Sequence, residues 1–288
     1  MRLSIRHTTT YRFSRQVTFN PHRLMLRPRS DLNLHVLSHN LTIRPHAELD
    51  WSTDMFDNLV ATAVFSGTAS DVVFDSHLVL ENTAPEWPVY PIAPRAQQHP
   101  FEYTADERID LAGLRSAGAG DQSVAAWTKE LVAQRPTDTL SLLIGLNTQV
   151  RDALAYEVRV EENTQPAAET LRRRAGACRD YAELFLASAR FLGFAARAVS
   201  GYLVDAERTG GGDATHAWAE IYLPGPGWIA FDPTNGRMGT AGLVKVASAR
   251  TSAQALPIVG SYVGEARDHL SLEVLVRTEE GVPGVATW

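Results

Sequence analysis

Over the first 92 residues, apolar and polar positions follow strand-like patterns. Leu3 to Phe13 is rich in strand formers and alternates in part. Val36 to Ile43 places Leu37, Leu41 and Ile43 on one face, and Val72 to Leu80 forms a further candidate strand. Turn residues separate these runs at Asn20-Pro21, at Arg27 to Asp31 and at Asp54 to Asn58. Short strands spaced by turns predict a β-sandwich-like region. Five prolines between Pro85 and Pro100 then predict an extended connector, because proline lacks a backbone donor and disfavours helix in the residue before it.

From about residue 122 the apolar period changes. Val124, Trp127, Leu131 and Val132 fit one helical stripe, Thr139 to Ala155 forms a second candidate helix, and Pro136 separates the two. Gly176 to Leu192 predicts a third helix, with Tyr181, Leu184, Phe185, Ser188, Phe191 and Leu192 on one face and Gly193 at its stop. Strands are expected at Arg197 to Val204, Thr215 to Leu223, Trp228 to Asp232 and Leu270 to Arg277. Helices followed by strands indicate an α+β class. The expected organisation is a β-rich N-terminal domain over 1–100, a linker over 101–121, and a core over 122–288 that includes the C-terminal strands.

Composition removes several function classes. The 288 residues carry 27 Lys and Arg against 33 Asp and Glu, a net charge of −6, which disfavours a sequence-independent nucleic-acid partner. No apolar run approaches the roughly 18 residues of a membrane span. The N-terminus is polar from Arg2 onward, with no apolar signal core, so the expected location is cytoplasmic. The chain has one cysteine, which rules out an intrachain disulfide and a zinc site built on thiolates alone.

That cysteine, Cys178, falls at the start of the third helix. A thiol in a first helical turn lies near unpaired N–H groups and the positive end of the helix dipole, and both favour the thiolate. A second feature is the hairpin from Thr215 to Asn235, folded about Pro224-Gly225-Pro226-Gly227. Pairing symmetric about Pro224 sets Glu220 against Trp228, Trp218 against Ala230 and His216 against Asp232. A two-residue shift keeps His216 and Asp232 on one face; a one-residue slip separates them. A thiol, a base and an acid that orients the base are what thiol acyl transfer requires. Geometry alone leaves open a cysteine that merely caps a helix and a histidine that merely completes a core hydrogen bond.

Four stretches carry a resemblance: Gly176-Ala177-Cys178-Arg179-Asp180-Tyr181-Ala182, Ala196 to Leu203, His216-Ala217-Trp218-Ala219-Glu220, and Trp228 to Asn235. Together they resemble the core of bacterial transglutaminase-like proteins. His7 to Tyr11, Arg27-Pro28-Arg29 and the Asp54-to-Asn58 turn resemble the β-rich region that often precedes that core. The resemblance implies a papain-like core with Cys178 as nucleophile, His216 as base and Asp232 as orienting acid, and no metal or organic cofactor. It implies a protein or peptide substrate attacked at an amide, with water or an amine as acceptor; hydrolysis is favoured because no lysine tunnel is visible. The alternatives are a protein-crosslinking transglutaminase and a non-catalytic interaction module that retains the fold. The chain departs from the family's usual pattern at Ala195, where proline is common, and at Ala249 to Ser252.

Several other residues receive weaker assignments. His35 and His39 read as strand residues, not a metal pair. Gly210-Gly211-Gly212 reads as a loop beside the site. Trp218 and Trp228 read as packing residues. Asp180 is expected to brace the helix start, and Glu220 to lie at the edge of the catalytic groove. Oligomeric state is not legible.

Overall fold

The computed structural model describes residues 1–116, 122–132, 138–159, 163–204 and 215–281. The triglycine at 210–212 and the expected break at Pro136 lie outside the described residues.

The N-terminal region is a two-sheet sandwich, as the alternating strands predict. Its long first strand, Arg2–Phe19, pairs antiparallel with Thr68–Asn82, which in turn pairs with Leu34–Arg44. The second sheet runs through His22–Leu24, Leu59–Phe65 and Ala47–Thr53. The last two strands flank the Asp54–Asn58 turn, in which Asp54 Oδ1 accepts from the Phe56 and Asn58 N–H groups. Phe13, Val17, Phe19, Leu24, Ala61, Ala63 and Phe74 interdigitate between the sheets.

One boundary differs from the expected organisation. The C-terminal strand His269–Glu280 leaves the core and pairs with Arg2–Phe19 over Leu3 to Phe13. Short strands Ile258–Val259 and Tyr262–Val263 likewise join the N-terminal sheets. The alternation of 270–277 specifies a half-buried strand but not its partner. Residues 101–116 of the expected linker also do more than link. Helices Ala105–Asp110 and Ala112–Arg115 follow buried Tyr103, whose hydroxyl donates to the Tyr222 carbonyl at 2.8 Å.

The core is an antiparallel sheet in the order Arg237–Met238, Gly227–Asp232, His216–Leu223, Ala195–Leu203, Leu243–Ala249. Helices Gln122–Val132, Thr139–Ala153, Ala167–Arg173 and Cys178–Phe191 complete it. Leu184 and Phe185 of the last helix pack with Ala219, Ile221 and Phe231 of the sheet. Period 2 therefore turns Trp218 and Glu220 to the opposite face. The two regions share a core of Leu3, Ile5, Leu78 and Leu80 against Tyr202, Val204, Val244 and Val246. The proline-rich connector crosses the hairpin turn, where the Ala93 N–H donates to the Pro224 carbonyl at 2.8 Å.

Candidate active site

Cys178 opens the helix Cys178–Phe191, after Ala177 in extended backbone at φ −86°, ψ 172°. Alanine has no capping side chain, so Asp180 supplies one from inside the helix. Its Oδ2 accepts from the Ala177 N–H at 2.9 Å and its Oδ1 from the Gln165 N–H at 2.7 Å. Arg159 Nη1 donates to both oxygens at 3.0 Å, and the carboxylate is fully buried. Asp180 thus braces the helix start, as the sequence suggests. The clamp leaves no room at Gly176, where a Cβ would fall 2.7 Å from the Asp180 Cβ.

The thiol hydrogen-bonds the His216 ring and accepts from the Ala217 N–H. Burial alone would raise the Cys178 pKa; the His216 partner, the Ala217 amide and the Arg179 charge together hold it below the usual thiol value. His216 Nε2–H donates to Asp232 Oδ2 at 2.8 Å. With Nε2 so engaged, Nδ1 is the ring nitrogen left for the thiol. Burial lowers the imidazole pKa, but Asp232 and Cys178 outweigh it and push it up to about 10. Burial likewise raises Asp232, and the His216 charge and the Asn235 hydrogen bonds bring it below the ordinary carboxylate range. The arrangement favours a thiolate–imidazolium pair on an ionised carboxylate.

The hairpin register is two residues off the symmetric pairing. Leu223 faces Gly227, Glu220 faces Ala230 and Ala219 faces Phe231, so the turn is centred on Gly225, not Pro224. Gly225 adopts φ +107°, open to glycine and strained for other residues. One step further, the register sets Asp232 opposite Trp218, and His216 reaches it on the diagonal. The face is preserved because the shift is even.

Sequence reasoning missed the residues that hold Asp232. Asn235 Nδ2 donates to its Oδ2 at 2.7 Å, while the Thr234 and Asn235 N–H groups donate to Oδ1 at 3.0 and 3.3 Å. The Asp-Pro-Thr-Asn stretch held that signal, since an Asp commonly accepts from amides two and three residues on. Trp218 stacks against the His216 ring, centroids 6.0 Å apart at 26°, and is fully buried. Trp228 carries the Arg197 guanidinium 4.2 Å above its ring centroid. His35 and His39 lie on the strand Leu34–Arg44, with His39 Nε2 3.0 Å from Ser76 Oγ.

Glu220 departs from expectation. It is buried on the sheet face away from the Cys178 helix, not at a groove edge. Arg197 approaches its Oε2 at 2.6 Å and Lys245 its Oε1 at 3.0 Å. Those partners lie 23 and 25 residues away, beyond the reach of local pattern.

Comparison with known proteins agrees with this geometry. A model of the bacterial transglutaminase-like N-terminal region matches residues 3–81, and one of the transglutaminase-like superfamily core matches 125–233. The chain joins a bacterial transglutaminase-like N-terminal region to a transglutaminase-like core. An uncharacterised protein of Mycobacterium tuberculosis is 28% identical over 274 residues, covering 90% of this chain and 87% of its own. An uncharacterised protein of Mycobacterium leprae is 26% identical over 292 residues, covering 96% and 97%. Among solved structures, a candidate cysteine protease from Cytophaga hutchinsonii superposes with TM-score 0.72 at 18% identity, covering 100% of this chain and 93% of that one. That likeness establishes the shared fold.

Proposed function

We propose that this transglutaminase-like protein is a thiol acyl-transfer enzyme that cleaves an amide of a peptide or protein and passes the acyl group to water. The observation that carries the reading is the hydrogen-bonded chain from the Cys178 thiol through the His216 ring to Asp232. The Cys178 thiolate attacks the amide carbon, and the carbonyl π pair moves onto oxygen. The Cys178 backbone N–H, in the unpaired first turn of its helix, donates to that oxyanion in this reading. His216 then gives its proton to the departing nitrogen as the C–N bond breaks, leaving a thioester. Water adds to the thioester with its proton taken by His216; the C–S bond breaks and the acid leaves. Asp232 keeps Nε2 protonated throughout and supports the imidazolium.

The test offers purified protein a glutamine peptide with and without a primary amine, following ammonia and products by mass spectrometry. A free acid as product supports hydrolysis. An amine adduct that dominates over the acid assigns transfer to an amine instead. Turnover unaffected by Cys178→Ser removes Cys178 as the nucleophile, and absence of turnover supports the interaction-module alternative.

A further inference from the structure

Where the sandwich meets the core, a cavity of about 140 Å³ opens beside the strand that carries His216. Its floor comes from the pairing of Arg2–Phe19 with His269–Glu280. Thr9 faces Val274 there and Tyr11 faces Leu272, so the four side chains share one sheet face. Leu256, Pro257 and Ile258 form one wall and Thr215 another.

Both walls are tied to the catalytic residues. Thr215 directly precedes His216, about 3.8 Å away between Cα atoms. The thiol is bonded to the His216 ring and to the Ala217 N–H, so the wall and the two groups that hold the sulfur lie on three consecutive residues. The other wall follows a short turn in which Ser252 Oγ donates at 3.1 Å to Glu183 of the Cys178 helix. It is anchored to the sandwich as well: the Met25 N–H donates to the Pro257 carbonyl at 2.7 Å, and Ile258 pairs with Leu24. The cavity is therefore preformed, which suits a binding site.

Its chemistry is uniformly apolar. Leu256, Pro257, Ile258, Leu272 and Val274 are all half-buried, so each leaves apolar surface uncovered. Among the described residues, no Lys, Arg, Asp or Glu lines the space. His7 at the floor engages the Tyr202 hydroxyl through one ring nitrogen and Thr9 Oγ1 through the other, and burial lowers its pKa to about 4, so the ring is neutral. A charged side chain entering here would give up water and find no partner. A cavity on the order of 150 Å³ lined by apolar side chains holds a benzene ring. The space is thus sized for one apolar side chain.

We propose that this cavity is a substrate subsite that receives one apolar side chain, aromatic or branched aliphatic, of the peptide whose amide Cys178 attacks. The proposal rests on the acyl-transfer reading. Burial of a side chain away from the reacting bond holds the amide against the thiol, and that binding energy favours reaction through positioning. Leu272 and Val274 reach the site from the C-terminal strand, so the pairing of that strand with Arg2–Phe19 makes the sandwich part of substrate selection.

The test incubates the full-length chain with peptides from a proteolysed cell lysate and sequences new termini and deamidated glutamines by mass spectrometry. Reacting peptides are expected to carry Phe, Leu, Ile or Met at one fixed position from the reacting amide. Synthetic peptides that differ only at that position should show kcat/KM about tenfold or more higher with Phe or Leu than with Ala, and no gain with Asp. Leu272→Lys places a charge in the floor and should bring the Phe-to-Ala ratio close to one. Leu272→Ala enlarges the cavity and should move the preference toward the larger naphthylalanine. The ratio is taken within each enzyme, so a general loss of stability or turnover does not move it. Reacting peptides that share no apolar position, or a ratio unchanged in either folded variant, overturn the subsite and leave acyl transfer standing. No product from any peptide, with Cys178 still alkylated by iodoacetamide, removes the acyl-transfer reading and the subsite with it.

Discussion

His216 Nε2 lies 2.8 Å from Asp232 Oδ2, although the hairpin register sets Asp232 opposite Trp218. The acid reaches the base on the diagonal of one sheet face, where three hydrogen bonds from Thr234 and Asn235 aim it. Asp232→Asn keeps an oxygen able to accept from those amides, so the fold should survive. The amide removes the charge that supports the imidazolium and permits the wrong tautomer. Turnover should fall by roughly 10⁴-fold with little change in melting temperature. An Asp232→Asn enzyme within tenfold of the parent would show that His216 needs no acid.

That Cys178, His216 and Asp232 lie together is largely legible in the sequence because each carries a local signal. Cys178 is the only thiol and stands at a helix start, and His216 and Asp232 flank one turn. The face-sharing of the hairpin pair tolerated a misplaced turn centre because side chains alternate with period 2. Symmetric pairing centres on Pro224, whereas Gly225 occupies the positive-φ position at the centre of the turn. What local pattern could not show is partnership at a distance. Glu220 reads as a polar residue near a groove until Arg197 and Lys245 are seen beside it. The strand His269–Glu280 reads as part of the core until its pairing with Arg2–Phe19 is known.

The Cys178 thiol should react as a thiolate well below the ordinary thiol range, since His216, the Ala217 amide and Arg179 lower its pKa despite burial. Alkylation by iodoacetamide measured against pH should rise at a midpoint below the unperturbed value of roughly 8.5. His216→Gln should move that midpoint upward. Activity should follow the ion pair, appearing as pH rises through the thiol midpoint and declining as His216 loses its proton near about 10. A wild-type midpoint at or above the unperturbed value would contradict an activated nucleophile.

Asp180 joins three segments, accepting from Ala177, Gln165 and Arg159 in a fully buried position. Asp180→Ala strands those donors, including a guanidinium that is 7% exposed, and should cost about 3–5 kcal/mol. Asp180→Asn keeps part of the acceptor capacity and should fall between the two. Thermal melts and turnover should therefore decline together across the series. Full stability with loss of turnover alone would place Asp180 in the catalytic set.

His7 connects the N-terminal sandwich to the core, with Nδ1 3.1 Å from the Tyr202 hydroxyl and Nε2 2.8 Å from Thr9 Oγ1. Burial lowers its pKa from 6.5 to about 4, against a small opposing effect of Asp75. The folded ring therefore stays neutral while the unfolded chain takes up a proton as pH falls. Stability is thus fully present above about 6.5 and is lost progressively as pH drops toward about 4. Between pH 7 and pH 5 this residue should account for about 2 kcal/mol of the loss, at about 1.4 kcal/mol per unit below 6.5. Urea unfolding at the two pH values should show that loss in the wild type and a smaller one in His7→Gln, which cannot be protonated. His22 and His39 are also lowered by burial, so some slope should persist in the variant. Identical slopes in the two proteins would mean that His7 does not carry the pH sensitivity of the junction.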